Sequence, residues 1–380
     1  MKAVKRFCVL LLALAMLVLC GCWNYREIES LSMVSGIAVD KGREGHKYHL
    51  TFEFLDVSGE TSKAKLLETE GDTIFDGVRE ATSKSEKKLF FSECKVLIVS
   101  KEIAADGMAP LFDFATRDAE PRLTLNPMVS QAKTAGEILQ QESVAGQLIG
   151  IGVWKMLIQN STYLSEAPNV KLFQANNLLT GEGASLILPT IKLSTSTDKV
   201  TPELSGTAVF KRDKLIGFLD KDQSKSLLLI KNQVNGGLLL TEPDPGKGKV
   251  VLEIQANRTK ITPVITNNVL KVEININMTA ALAEDETAKD YTTSDGLKKI
   301  EECAKKTLEK NVSELIKTVQ TQYDSDIFGF GAIAYQNKPE WWKQAKPKWD
   351  QTFRTLDSSV TANVTIDNTA VEKSKVKVGD

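Results

Sequence analysis

The chain has 380 residues and only two histidines, His46 and His49. They lie three apart in a turn and the strand after it, where successive side chains point to opposite faces. They therefore diverge and do not converge on one metal or proton. No cysteine–histidine cluster has zinc-ligand spacing. No Gly-x-Ser-x-Gly elbow occurs. Gly150-Ile151-Gly152 is not a phosphate loop, because no strand precedes it and no Lys-Ser/Thr follows. The acidic run Glu284-Asp285-Glu286 lacks the spacing of a calcium loop. These absences remove the parts from which active sites are assembled. The chain is expected not to be an enzyme, with no catalytic residue, no cofactor and no bound metal. A basic excess is missing too. The formal net charge is −1, which speaks against general nucleic-acid binding. Past the first twenty residues no stretch offers the ~18 uncharged apolar residues of a membrane span.

What is present begins at the N-terminus. Lys2, Lys5 and Arg6 form a basic start, and an apolar run follows from Phe7 to Cys20. At about 14 residues this run is short of the ~20 that cross a bilayer. A basic n-region, a short h-region and a small residue at the cleavage point describe a secretory signal. Leu19-Cys20-Gly21-Cys22 places Leu at −3, Gly at −1 and Cys at +1, the pattern of a bacterial lipoprotein signal. Residues 1–21 are expected to be that signal and Cys22 the lipid attachment site. An ordinary signal with a chance cysteine is the alternative. Each buried methylene contributes ~0.8 kcal/mol, and stable anchoring takes two acyl chains. The rest of the chain would then be a body tethered to a membrane by a diacylglyceryl group.

Of five cysteines, Cys8 and Cys20 leave with the signal and Cys22 carries lipid. Cys94 and Cys303 remain. They could be joined in an exported protein, but each sits in an apolar pattern, and two separate buried thiols are the favoured expectation.

After a polar leader with Trp23 and Tyr25, residues 33–40 and 48–54 read as a β-hairpin. Tyr48, Leu50, Phe52 and Phe54 form its apolar face, opposite His49, Thr51 and Glu53. Thr73–Lys88 reads as a helix with Phe75, Val78 and Ala81 or Thr82 on one side. Residues 94–99 and 123–129 read as strands, Pro127 marking an edge or bulge. Residues 134–177 look mainly helical. Residues 184–193 return to strand, and the Ser/Thr-rich 194–202 reads as the best linker.

Beyond it come a second hairpin and a clean alternation, with Leu270, Val272, Ile274, Ile276, Met278, Ala280 and Leu282 on one face. A long amphipathic helix follows, its stripe running from Leu297 through Ile300, Cys303/Ala304, Leu308, Val312 and Leu315 to Val319 and Tyr323. Then comes Asp326-Ile327-Phe328-Gly329-Phe330-Gly331, with Trp341, Trp342 and Trp349 downstream and a last strand at 360–366. Phe328, Phe330 and Trp349 are expected to clamp the end of the helix to the sheet. One of Trp341 and Trp342 is expected to be more exposed, as a contact to a partner.

The fold class is α+β, multi-domain, with mostly antiparallel sheets each covered by helices on one face. The N-terminal region is 22–195, dividing near 140, and the C-terminal domain 203–373 carries the long amphipathic helix.

In this order the residues resemble the Ger(x)C family, the C-subunit lipoproteins of nutrient germinant receptors in spore-forming bacteria. Four stretches carry the likeness. They are Gly21–Ile28 running into Val34–Lys41, Arg117–Glu120, Gly206–Gly217, and Asp326–Gly331 with Trp341, Trp342, Trp349 and the closing strand. The resemblance implies a non-enzymatic subunit on the outer leaflet of the spore inner membrane. Its partners would be membrane-embedded A and B type subunits and the bilayer, with no nucleic acid. Whether this subunit touches the nutrient is left open. The rival reading is a solute-binding lipoprotein of an importer, which would need two lobes of parallel sheet and a hinge.

Overall fold

A computed structural model describes residues 2–7, 30–56, 63–118, 120–142, 148–196 and 199–368. Two sheets organise it. The first contains β1 (Leu31–Lys41), β2 (Tyr48–Asp56), β3 (Lys63–Gly71), β4 (Lys88–Phe90), β5 (Val96–Val99), β6 (Asn126–Ser130), β7 (Ile187–Ser196), β8 (Lys199–Lys211) and β9 (Lys214–Leu219). Its order is β3-β2-β1-β5-β6-β7-β8-β9, with β4 also on β1. The second contains β10 (Leu238–Thr241), β11 (Val250–Thr266), β12 (Val269–Asp285) and β13 (Asp357–Asn368), in that order. The class is α+β.

In the first sheet the outer strands are antiparallel and the centre, β1-β5-β6-β7, is parallel. That centre is covered on both faces. Ile37, Val39, Leu97, Val99 and Val129 enter the main core. Ala38, Val96, Ile98 and Met128 enter a second core under the helices Gly136–Leu139 and Ile149–Tyr163. This second layer changes the reading of the first hairpin. His49, Thr51 and Glu53 lie opposite the apolar face, yet they too are buried, because those two helices lie over that side of the sheet.

Three other local expectations shift. The helix after Thr73 is Ile74–Lys84, capped by the Thr73 hydroxyl, and it buries Ile74, Gly77 and Ala81. Phe75 is turned outward, against Phe114 and beneath Arg79. Pro127 sits opposite Leu97 on a central strand, where an edge or bulge was expected. No ladder bond is lost there. The Asn126 N–H points to β5, so the Pro127 nitrogen faces the other side, and β7 joins only from Val129 onward. Within 194–202, residues 194–196 and 199–202 are paired strand, as in Ser194↔Thr201 and Thr195↔Val200. The sheet therefore runs on where a linker was expected, and β8 and β9 extend it.

The second sheet follows its alternation. Leu270, Val272, Ile274, Ile276, Met278 and Ala280 are buried, and Glu273, Asn275 and Asn277 are exposed. The helix Ser294–Thr318 covers the buried face with Ile300, Ala304, Leu308, Val312, Leu315 and Ile316. The Thr293 hydroxyl caps its first turn. β13 returns parallel to β12. Its outer edge is closed by that helix: Glu309 accepts from the Ala362 N–H at 3.0 Å and Glu301 from the Ile366 N–H at 2.9 Å. Two occupied donors make this edge a poorer template for a foreign strand.

Both described cysteines are free. Cys94 is buried, which pushes its thiol up to about 12. Cys303, expected in the core stripe, is only half-buried, because Ala304 takes the inward position beside it.

Candidate functional site

Cys22, the expected lipid attachment site, lies outside the described residues. Among the described residues no group of three or more His, Cys, Asp or Glu side chains could hold a metal. No described helix is long and apolar enough to cross a membrane. His46 pairs with Asp72 at 3.1 Å and His49 with Glu70 at 2.7 Å, so each histidine has its own carboxylate and the two are not brought together.

The carboxylates that the fold does bury hold helix N-termini. Glu53 accepts from the N–H groups of Ile149 at 2.5 Å and Gly150 at 2.7 Å, and the Ser35 hydroxyl donates to it at 2.5 Å. Asp40 accepts from Ala135 at 2.6 Å and Gly136 at 2.8 Å. Burial raises both carboxyls above their ordinary range, and the hydrogen bonds oppose it. The first turn of a helix presents free N–H groups and the positive end of its dipole, so an anion fits there. Gly150-Ile151-Gly152 thus does meet an anion, but the protein's own Glu53. Gly150 is required because a Cβ would stand 2.6 Å from the Ser35 carbonyl oxygen.

The third buried carboxylate is at the junction of the two sheets. Past the long helix the chain makes a π turn, Val319–Tyr323, and Asp324 is left-handed. The next residues dock on the first sheet. Ser325 Oγ donates to the Phe210 carbonyl at 2.6 Å, and the Ser185 N–H donates to the Asp326 carbonyl at 2.8 Å. Asp326 accepts from the N–H groups of Gly329, Phe330 and Gly331 at 2.9, 3.1 and 2.8 Å, starting the helix Phe330–Asn337. Burial pushes its carboxyl up to about 6, against those bonds and the nearby Lys231. Burial in turn lowers Lys231.

Gly331 crosses the backbone of Gly183, and the Ala332 N–H bonds to the Gly183 carbonyl. A Cβ on Gly331 would lie 2.8 Å from the Gly183 Cα and 2.7 Å from the Trp349 ring. Around this crossing Phe328 stacks on Phe330 at 5.0 Å, and Trp342 meets Trp349 edge-on at 5.0 Å. Phe328, Phe330, Trp342 and Trp349 are all buried. Trp341 is half-buried and donates to the Asn268 carbonyl at the tip of the β11–β12 hairpin. The aromatics expected to clamp the helix end are inside, and Trp341 is the more exposed of the adjacent pair.

A polar cavity of about 580 Å³ opens beside this turn, between 181–186 and the β8–β9 turn on one side and residues 324–326 and 342–351 on the other. An apolar hollow of about 520 Å³ lies between the helix Ile149–Tyr163 and β8, walled by Ile149, Val153, Met156 and Leu204. The charges Glu166, Glu203 and Lys221 on its rim pair with one another.

Comparison with known proteins places these features in one lineage. Residues 24–193 match the model of the spore germination protein N-terminal domain. Residues 205–370 match the model described as spore germination B3/GerAC like, C-terminal. Spore germination protein B3 of Bacillus subtilis (strain 168) is 26% identical over 375 residues, covering 94% of this chain and 96% of that protein. Spore germination protein KC of the same organism is 23% identical over 403 residues, covering 98% of each. The crystal structure of the GerBC protein shares the fold, with a TM-score of 0.58 at 22% identity over 90% of this chain and all of that one. The four stretches singled out in the sequence lie in order within these matches, and the chain belongs to the Ger(x)C family of spore germination proteins.

Proposed function

We propose that this chain is the membrane-tethered, non-catalytic lipoprotein subunit of a nutrient germinant receptor. It acts in spore germination beside membrane-embedded A and B type subunits, on the outer leaflet of the spore inner membrane. The observation that carries the reading is the pair of family matches, N-terminal then C-terminal, together with Leu19-Cys20-Gly21-Cys22 read as the end of a lipoprotein signal. The buried carboxylates support the non-catalytic part, since Asp40, Glu53 and Asp326 each hold backbone N–H groups. Within this reading 22–195 and 203–373 are the two regions, with β8 and β9 at the start of the second continuing the sheet of the first. Half-buried Trp341, at the hairpin tip beside exposed Val269, is the contact offered to a partner subunit.

The test is Cys22→Ala in sporulating cells fed a radioactive fatty acid. The variant should carry no label and should leave the membrane fraction, because two-chain anchoring is lost. Label retained in the variant protein would remove the anchor from the reading.

A further inference from the structure

The apolar hollow beside the helix Ile149–Tyr163 holds one polar group that the fold leaves unused. The helix supplies Ile149, Val153 and Met156 to its wall, and β8 supplies Pro202 and Leu204. Glu53 fixes the start of that helix, so the wall is set before anything enters. The charges around the hollow are answered. Lys221 pairs with Glu203 at 2.5 Å and with Glu166 at 4.0 Å, Lys225 also reaches Glu166, and Lys192 reaches Glu203. Glu142 and Lys155, the other two lining charges, are opposite in sign. The site therefore makes no demand for a charged occupant.

Asn160 is the unused group. It lines the hollow and is 5% exposed. Its Oδ1 accepts from the Glu166 and Ala167 N–H groups, at 3.0 Å each. Two donors on one oxygen identify that end of the amide, so Nδ2 is turned away from the loop that Oδ1 holds. Nδ2 carries two N–H donors and has no hydrogen-bond partner among the described residues. It also keeps accessible surface, so a molecule in the hollow can reach it. Apolar walls with a single placed donor are the makeup of a small-molecule site. The volume of about 520 Å³ falls within the usual range of about 300–1,000 Å³.

We propose that this hollow binds a small uncharged molecule with an aliphatic or alicyclic body and one carbonyl oxygen. The body lies against Ile149, Val153, Met156 and Leu204, and the Asn160 Nδ2 donates to the oxygen. Met156 adapts the wall to the shape of the body, because its thioether side chain is unbranched and flexible. A molecule of the same body that offers only N–H groups is rejected, since donor would then face donor. The inference does not depend on the receptor reading.

The test uses the full chain in phosphatidylcholine vesicles and its thermal unfolding midpoint. Cyclohexanone, an acceptor only, is titrated in parallel with cyclohexylamine, which at neutral pH is a protonated donor on the same ring. A ligand that binds the folded state raises the midpoint with saturation. The expected result is a saturable rise with the ketone and none with the amine. Asn160→Asp keeps the oxygen that holds Glu166 and Ala167 and replaces the donor by an acceptor. It should weaken the apparent affinity for the ketone about tenfold and gain a saturable response to the amine. Met156→Trp, at a half-buried position on the helix wall, fills the hollow and should abolish the ketone response by itself. A ketone effect that is only linear in concentration is general solvent action and overturns the proposal. So does a saturable rise that either variant leaves unchanged.

Discussion

Glu53 and Asp326 are both buried carboxylates that accept from the first turn of a helix. Glu53 is 96 and 97 residues from the N–H groups it holds, whereas Asp326 is three to five. The difference is one of when each can form. Asp326 needs only its own turn, in which Gly329 is left-handed at φ +82°. Glu53 needs β2 already paired and the helix Ile149–Tyr163 already docked, so it gains its bonds only after a long loop has been closed. The first ties a local turn into the junction of the sheets. The second ties a distant helix to the middle of one sheet.

The largest effect is expected where the local turn meets the core. Phe328 is 3% exposed and stacked on Phe330. Phe328→Ala should lower the stability of the full chain by ~3–5 kcal/mol, the usual cost of emptying a buried aromatic site. Urea melts measure it, and an unmoved midpoint would mean that the junction does not share the main core.

The next effect separates the two carboxylates by pH. The Asp326 carboxyl is pushed from its ordinary 3.8 up to about 6. Between those values the folded state binds more protons than the unfolded one. Stability from this group is therefore highest below about pH 4, falls as pH rises towards 6 and is flat above. At ~1.4 kcal/mol per unit the loss is up to ~3 kcal/mol. Burial raises Glu53 in the same direction. Comparing the pH slopes of Asp326→Asn and Glu53→Gln assigns the effect. If the slope survives Asp326→Asn and disappears in Glu53→Gln, the distant cap dominates.

The smallest effect tests the distant cap itself. Glu53→Gln keeps one acceptor but cannot serve Ile149, Gly150 and Ser35 together. A loss of roughly 1–2 kcal/mol is expected. Hydrogen exchange should quicken in the first turn of Ile149–Tyr163 and stay unchanged in Phe330–Asn337. Equal quickening in both would show that the two regions open as one unit.

Features that depend on near neighbours were legible in the residues alone. The alternation Leu270–Leu282 determined which face of β12 is wet, and Thr293 with the stripe Ile300–Leu315 determined the long helix and its inner side. Large aromatics close to two glycines identified the buried turn at Phe328–Gly331. Each of these rests on spacing within a few turns or strand positions. The parallel centre β1-β5-β6-β7, the tolerance of Pro127 there, the burial of His49, Thr51 and Glu53, and the pairing of 194–196 with 199–201 were decided by tertiary structure. In β2 one face holds apolar side chains and the other polar ones, which reads as one dry face and one wet face. Only the arrival of two helices from about a hundred residues away makes the second face dry. Glu53 can then remain buried because the N–H groups those helices bring replace the water it loses.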